Sequence, residues 1–210
     1  QSTFLEASLD VREQIAAISE EWAQLKALPE MKFTLGGVEE LRDPRVRLLY
    51  AIDADGRVLG VTSWLPTYEN GKVVGWTLDF MRHRTDSVNG IMEFLIARMA
   101  ERLRDEGNVE FMSLSAAPLA GMGSNESEHE ESEVLRHALQ MVADIMEPAY
   151  GFHSLFRFKL KFHPDEEKVY ICYPDAAKLP QISLAVAQAY VPSLTPAEAM
   201  RFVRTITPHD

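Results

Sequence analysis

The sequence predicts an α+β fold: a mixed, mostly antiparallel sheet flanked by helices. Three observations predict it. Two tight-turn signals, Asp55-Gly56 and Glu69-Asn70-Gly71, join three strand-like runs into a meander. An apolar stripe of Ile91, Met92, Leu95, Ile96, Met99 and Leu103 recurs at helical spacing and stops at Gly107. The stretch from Phe156 to Phe162 alternates strictly, with Phe156, Phe158, Leu160 and Phe162 opposite Arg157, Lys159 and Lys161.

The elements follow in order. Val11, Ile15, Ile18, Trp22 and Leu25 mark a helix over 9–28, which Pro29 ends. Lys32 to Leu35 reads as a short strand closed by Gly36-Gly37. Strands over 45–53, 57–65 and 73–81 make the meander, and the helix of the Ile91 stripe follows. Val109 to Ser115 reads as a buried strand. A Gly/Ser/Glu-rich loop over 121–133 enters a further helix ending near Glu147. After Pro148 come the alternating basic strand and a partner strand over 168–173, then helical stretches over 182–190 and 196–203. This order of helix, meander, helix, strand, helix, strand, strand is a layered α+β arrangement. The reading is a single domain over 1–210, with a leading helix over 1–30, a core over 31–175 and a helical tail over 176–210.

Composition bounds the function. The chain has 210 residues, 46% hydrophobic and 25% charged, which suits a globular protein with a sizeable core. No run approaches about eighteen apolar residues, so nothing reads as a membrane span. The first residues lack the basic head and apolar stretch of a secretion signal, and the missing initiator Met reads as a piece of something longer. The lone Cys172 excludes an internal disulfide, suits a reducing cytosol, and is expected to be a buried inert thiol. A formal net charge of -11 argues against sequence-blind coating of nucleic acid, which needs a broadly basic surface.

Against that acidity the basic stretch stands out. Arg157, Lys159 and Lys161 on one strand face repel one another unless an anion such as phosphate, or facing carboxylates, lies near. The plainer alternative is a solvated face answered by the protein's many acids.

A second candidate lies where the third meander strand meets the helix. Arg82, His83 and Arg84 precede a helix start, where loop cations, free N–H groups and the helix dipole can hold a phosphate; Asp86 or Ser87 is the expected N-cap. In strict alternation Asp79 shares a face with Thr77 and Met81, while Leu78 and Phe80 share the other. Asp79 reads as a local ion pair with Arg82, as a general base, or as an ammonium anchor. The acidic run Glu126 to Glu133 reads as a solvated helix start, and the histidines show no metal-ligand spacing, so no metal is expected.

These stretches resemble the C-terminal catalytic region of the phosphatidylglycerol lysyltransferases, also called multiple peptide resistance factors. Phe33-Thr34-Leu35-Gly36, Leu78-Asp79-Phe80-Met81-Arg82, Gly90-Ile91-Met92-Glu93-Phe94-Leu95, Leu114-Ser115-Ala116-Ala117-Pro118-Leu119 and Tyr150-Gly151-Phe152 through Phe158-Lys159-Leu160-Lys161-Phe162-His163-Pro164 fall in the family's order. The resemblance implies a GNAT-like acyltransferase fold and transfer of an aminoacyl group, lysyl foremost, from charged tRNA to the glycerol hydroxyl of phosphatidylglycerol. It implies Asp79, Arg82, Lys159 and Lys161 as catalytic residues; His83, Arg84, Ser115 and Arg157, beside them in the sequence motifs, are the expected substrate contacts. Arg82, Lys159 and Lys161 would hold phosphate, and Asp79 would anchor the ammonium or assist proton removal. No cofactor is implied beyond aminoacyl-tRNA as donor. The implied partners are charged tRNA, anionic phospholipid, a second GNAT-like domain and membrane spans elsewhere, and the implied place is the cytoplasmic face of the bacterial membrane or the cytoplasm. Two other readings are a soluble acyl-coenzyme A-dependent transferase and a non-catalytic half of a tandem pair.

Overall fold

Ser8 stands just ahead of the first apolar stripe, and its Oγ accepts the Val11 N–H at 3.3 Å, which caps helix α1 (Leu9–Gln24). The computed structural model describes residues 2–24, 36–116 and 152–167, then 169–170, 172–178, 181–182 and 185. The expected strand over 32–35, the helix after Gly121 and most of the C-terminal helical tail lie outside them. The chain divides into two compact units, Gln1–Ser115 and Ala116–Asp210.

In the first unit the meander forms as expected. Strands β1 (Arg47–Ile52), β2 (Val58–Glu69) and β3 (Lys72–His83) pair antiparallel in sequence order. Gly56 at φ +83° closes the first turn; Asn70 and Gly71 at φ +49° and +78° close the second. Two consecutive left-handed residues match the right-handed twist of a two-residue hairpin. Helix α2 (Ile91–Glu106) ends where the sequence says, with Gly107 left-handed and its N–H on the Leu103 carbonyl at 3.1 Å. It returns the chain to strand β4 (Phe111–Ser113), which lies parallel to β3. The sheet order is β1-β2-β3-β4, and the result is the expected GNAT-like α+β layering.

Each helix covers its own face. Val11, Ile15 and Ile18 of α1 form one buried cluster with Phe4, Leu41, Leu48, Val58, Val61 and Phe80. The buried stripe of α2 lies outside that cluster, and it approaches β2 so closely at Gly60 that a Cβ there would meet the Met92 methyl at 2.6 Å.

Several expectations need correction. The basic strand is a helix: Phe152–Leu160 forms α3 in the second unit. Two periods compete in that stretch. Leu155, Phe158, Lys159 and Phe162 recur at helical spacing, and the Phe158 and Phe162 rings meet edge-on at 5.6 Å. The period-two reading counted Lys159 as polar, whereas its stem is buried. In the expected partner strand, residues 169, 170, 172 and 173 carry no strand structure. Cys172 is exposed, not buried. β4 is half-covered rather than buried, with the Phe111 ring lying over Gly75 and partly in solvent. Neither Asp86 nor Ser87 caps α2: Gly90 occupies the N-cap position, and Asp86 pairs with Arg57 at 2.5 Å.

Candidate active site

An extra residue in β3 builds the first unit's site. Leu78 pairs with Trp64 and Met81 with Thr62, so Asp79 and Phe80 together face the single residue Ser63. That is a β-bulge, and the Ser63 hydroxyl accepts the otherwise displaced Phe80 N–H at 3.0 Å. The bulge resets the alternation. Phe80 joins the α1-side cluster, while Leu78 does not, so the two do not share a face as strict alternation requires. Arg82, three residues after Asp79, is brought to the α1 side as well, over the Trp22 ring.

Asp79 is half-buried against the loop that leads into the 3-10 turn Glu40–Arg42. Its Oδ1 accepts the Gly36 N–H at 3.3 Å. A Cβ on Gly36 would sit 1.9 Å from Asp79 Oδ2, so only glycine lets the backbone come this close. The next amide, Gly37 N–H, donates to Glu40 Oε2 at 2.8 Å. Burial raises the Asp79 pKa and the Glu40 carboxylate adds to the rise; the Gly36 N–H and Arg82 oppose it. A carboxyl tuned this way suits a proton acceptor or an ammonium anchor.

The three cations after Asp79 have different surroundings. Arg82 is not a mobile loop cation. It is buried in β3, its guanidinium 3.5 Å from the Trp22 ring centre and 4.7 Å from that of Phe80, and it donates to the Met81 carbonyl at 2.9 Å. His83 is exposed, with Nδ1 2.8 Å from the Arg84 carbonyl and 3.2 Å from Ser87 Oγ. Arg84 ties α1 to β2: its Nε donates to the Val58 carbonyl at 2.7 Å and a terminal nitrogen to Gln14 Oε1 at 3.2 Å.

Beside this group the β3–β4 ladder ends. β3 and β4 pair from Gly75 with Phe111 to Thr77 with Ser113, and among the described residues the ladder ends there. Asp79 therefore lies two residues beyond the last pair. Ser115, just past β4, has φ +68° and donates its N–H to Ser113 Oγ at 3.0 Å. A left-handed serine is a strained backbone at a strand end that functional sites favour.

The second unit holds the basic residues. Lys159 is buried on α3 and donates from Nζ to the Ala116 carbonyl at 2.7 Å; burial lowers its pKa to about 8. Lys161 follows the helix, exposed, with Nζ 5.4 Å from the Phe158 ring centre. Arg157 is exposed on α3. The helix thus buries Lys159 and leaves Arg157 and Lys161 exposed, where a strand would have aligned all three. The acidic run Glu126 to Glu133 lies outside the described residues.

Sequence reasoning missed Trp22 as the cover of Arg82, Ser63 as the bulge's hydrogen-bond partner and Glu40 as the neighbour of Asp79. Trp22 was legible as a helix-face aromatic. Nothing in a single strand's pattern marks where its ladder slips.

Comparison with known proteins gives this arrangement a setting. The family model described as phosphatidylglycerol lysyltransferase, C-terminal, matches residues 2–173. An uncharacterized protein of Corynebacterium glutamicum is 44% identical over 190 residues, covering 90% of this chain and 23% of that protein. The phosphatidylglycerol lysyltransferase of Bacillus subtilis is 30% identical over 165 residues, covering 77% of this chain and 18% of that protein. The structure of L-PGS from Bacillus licheniformis superposes with a TM-score of 0.67 at 22% identity, over 88% of this chain and 53% of that one, a likeness of fold. The chain therefore spans less than a quarter of these curated relatives and about half of the solved chain.

Proposed function

This chain belongs to the phosphatidylglycerol lysyltransferase C-terminal family, and we propose that it moves a lysyl group from lysyl-tRNA to the glycerol hydroxyl of phosphatidylglycerol. The single observation that carries the reading is Asp79, a half-buried carboxyl with a raised pKa, lodged against Gly36 just beyond the last β3–β4 pair.

The reaction is a transesterification. The lipid hydroxyl oxygen attacks the aminoacyl carbonyl carbon; a new ester bond forms, and the bond to the tRNA ribose oxygen breaks. Asp79 takes the hydroxyl proton, which returns to the ribose oxygen as it leaves. A raised pKa brings the carboxylate nearer working pH and makes it a better proton acceptor. In its other role, the same carboxylate pairs with the aminoacyl ammonium and fixes the carbonyl for attack. Arg82 holds the local field from beneath, since its guanidinium is covered by rings. Lys161 and Arg157, both exposed in the second unit, are assigned to phosphate contact, and Lys159, buried and with its pKa lowered to about 8, to proton exchange or positioning. His83 and Ser115 are assigned to the substrate rim, and Arg84 to holding the loop they border. No cofactor takes part. Among the described residues no helix is long and apolar enough to cross a membrane. We place the domain at the cytoplasmic face of the membrane, working with a second domain of the same kind and with membrane spans of a longer protein.

The test supplies radiolabelled lysyl-tRNA and phosphatidylglycerol vesicles to the chain, alone and within the longest protein that carries it. Labelled lysyl lipid that vanishes in Asp79→Asn supports the reading. Tight coenzyme A binding with no response to charged tRNA would overturn it.

A further inference from the structure

We propose that the sheet face running back from Asp79 seats the terminal nucleoside of the charged tRNA, with its base stacked on Phe111. The inference rests on the transfer reading above for the identity of the donor, and it adds a binding surface to it. Strand register assembles the surface. Thr77 of β3 pairs with Leu65 on one side and Ser113 on the other, and Gly75 pairs with Thr67 and Phe111. Residues 75, 77 and 79 alternate onto one side of β3. On that side the Thr67 and Thr77 hydroxyls meet at 3.3 Å. There too a Cβ on Gly75 would stand 2.5 Å from Phe111 Cζ and 2.6 and 2.7 Å from its two Cε atoms. Distances so nearly equal put the face of the ring over the strand rather than its edge, and glycine is what admits it. The ring remains 42% exposed.

The order of groups chooses the occupant. The Thr67–Thr77 contact uses one proton between two hydroxyls, and Ser113 Oγ accepts the Ser115 N–H at 3.0 Å, which leaves hydroxyl donors and lone pairs for an alcohol. Ribose gains from such neighbours, whereas a hydrocarbon tail would strip them of water for nothing. A ring held flat stacks with any base, and stacking needs no net positive charge, which suits a chain of formal net charge -11. Counting back from Asp79 along β3, the hydroxyl pair of Thr77 and Ser113 comes at about 7 Å and the ring over Gly75 at about 13 Å. A 3′-aminoacyl nucleoside runs the same way, from acyl group to ribose to base. With its carbonyl at Asp79, its ribose falls beside Thr77 and Ser113 and its base over Phe111.

The experiment measures equilibrium binding to the full chain of 3′-lysylamido-3′-deoxyadenosine, a stable amide in place of the donor's ester, against lysinamide, which lacks the nucleoside. Wild type should prefer the nucleoside by about tenfold or more. Phe111→Leu should remove most of that preference while lysinamide binds as before, and Phe111→Trp should keep it. Gly75→Ala, which lifts the ring without removing it, should weaken nucleoside binding severalfold. Taking the 2′-hydroxyl from the ligand should weaken binding to wild type but not to Thr77→Val. No preference in wild type, a preference that survives Phe111→Leu, or one lost in Phe111→Trp overturns the proposal. A 2′-deoxy ligand bound by wild type as tightly as its parent overturns the part given to the hydroxyls. Transfer assays separate the surface from the reaction it serves. Absence of lysyl lipid with the Phe111-dependent preference intact overturns the transfer reading alone. Lysyl lipid made by Phe111→Leu with the wild-type KM for lysyl-tRNA overturns the nucleoside surface alone.

Discussion

The guanidinium of Arg82 lies over the ring of Trp22, 3.5 Å from its centre, joining β3 to the C-terminal end of α1. A charged group that is 95% covered is tolerated here because two aromatic faces and a carbonyl meet it. The contact holds the arginine beneath Asp79 and fixes α1 against the strand that carries the site.

Trp22→Leu should therefore lower stability by about 1–2 kcal/mol in urea unfolding, the scale of a desolvated cation–π contact plus lost ring burial. Arg82→Lys should fail to restore the wild-type value, since an ammonium cannot lie planar on a ring. A lysine variant as stable as wild type would show that charge alone suffices.

Gly36→Ala places a methyl group inside the Asp79 carboxylate, at 1.9 Å in the wild-type geometry. The loop or the carboxylate must move. Transfer should drop at least tenfold in kcat/KM, with thermal stability falling far less than for a core substitution. Full activity in this variant would show that the Gly36 contact does not position Asp79.

Asp79→Asn should abolish transfer and stabilise the fold at neutral pH. The sign follows from the direction of the shift. Burial raises the pKa of Asp79 in the folded chain, so the folded state favours the protonated form, and stability is lost as pH rises through the folded value. Asparagine escapes that loss. Melting temperatures compared at pH 7 and pH 4 should show the variant's advantage shrinking at the lower pH.

Lys159→Met should act with the opposite pH dependence. Burial lowers the lysine from 10.5 to about 8, so between those values the unfolded chain binds more protons and stability rises with pH. Below about pH 8 the variant should be more stable by about 1–3 kcal/mol, and the gain should vanish above pH 10.5. Denaturant midpoints at pH 7, 9 and 10.5 read it directly.

The first unit was largely legible in the sequence. Turn chemistry at Asp55-Gly56 and Asn70-Gly71 fixes the hairpins locally, and the Ile91 stripe with Gly107 bounds α2 within a residue. The stretch around Lys159 was not, because aromatic residues at every second position also fall at i and i+4, and tertiary packing chose the helix. The candidate site was legible as residue types rather than as geometry. Asp79 and Arg82 stood out, but their common side depends on a register slip across from Ser63, a property of two strands together.

That slip makes this stretch of β3 intolerant of tidying. Deleting the surplus position would give a smoother ribbon here, with the amides opposite Thr62 to Trp64 matched across to β2, and by ordinary measures a better-made sheet. It would also turn the arginine away from its tryptophan and leave the carboxylate without its counterpart. Natural variation in this segment should therefore spare the length between Leu78 and Met81 even where it changes the letters.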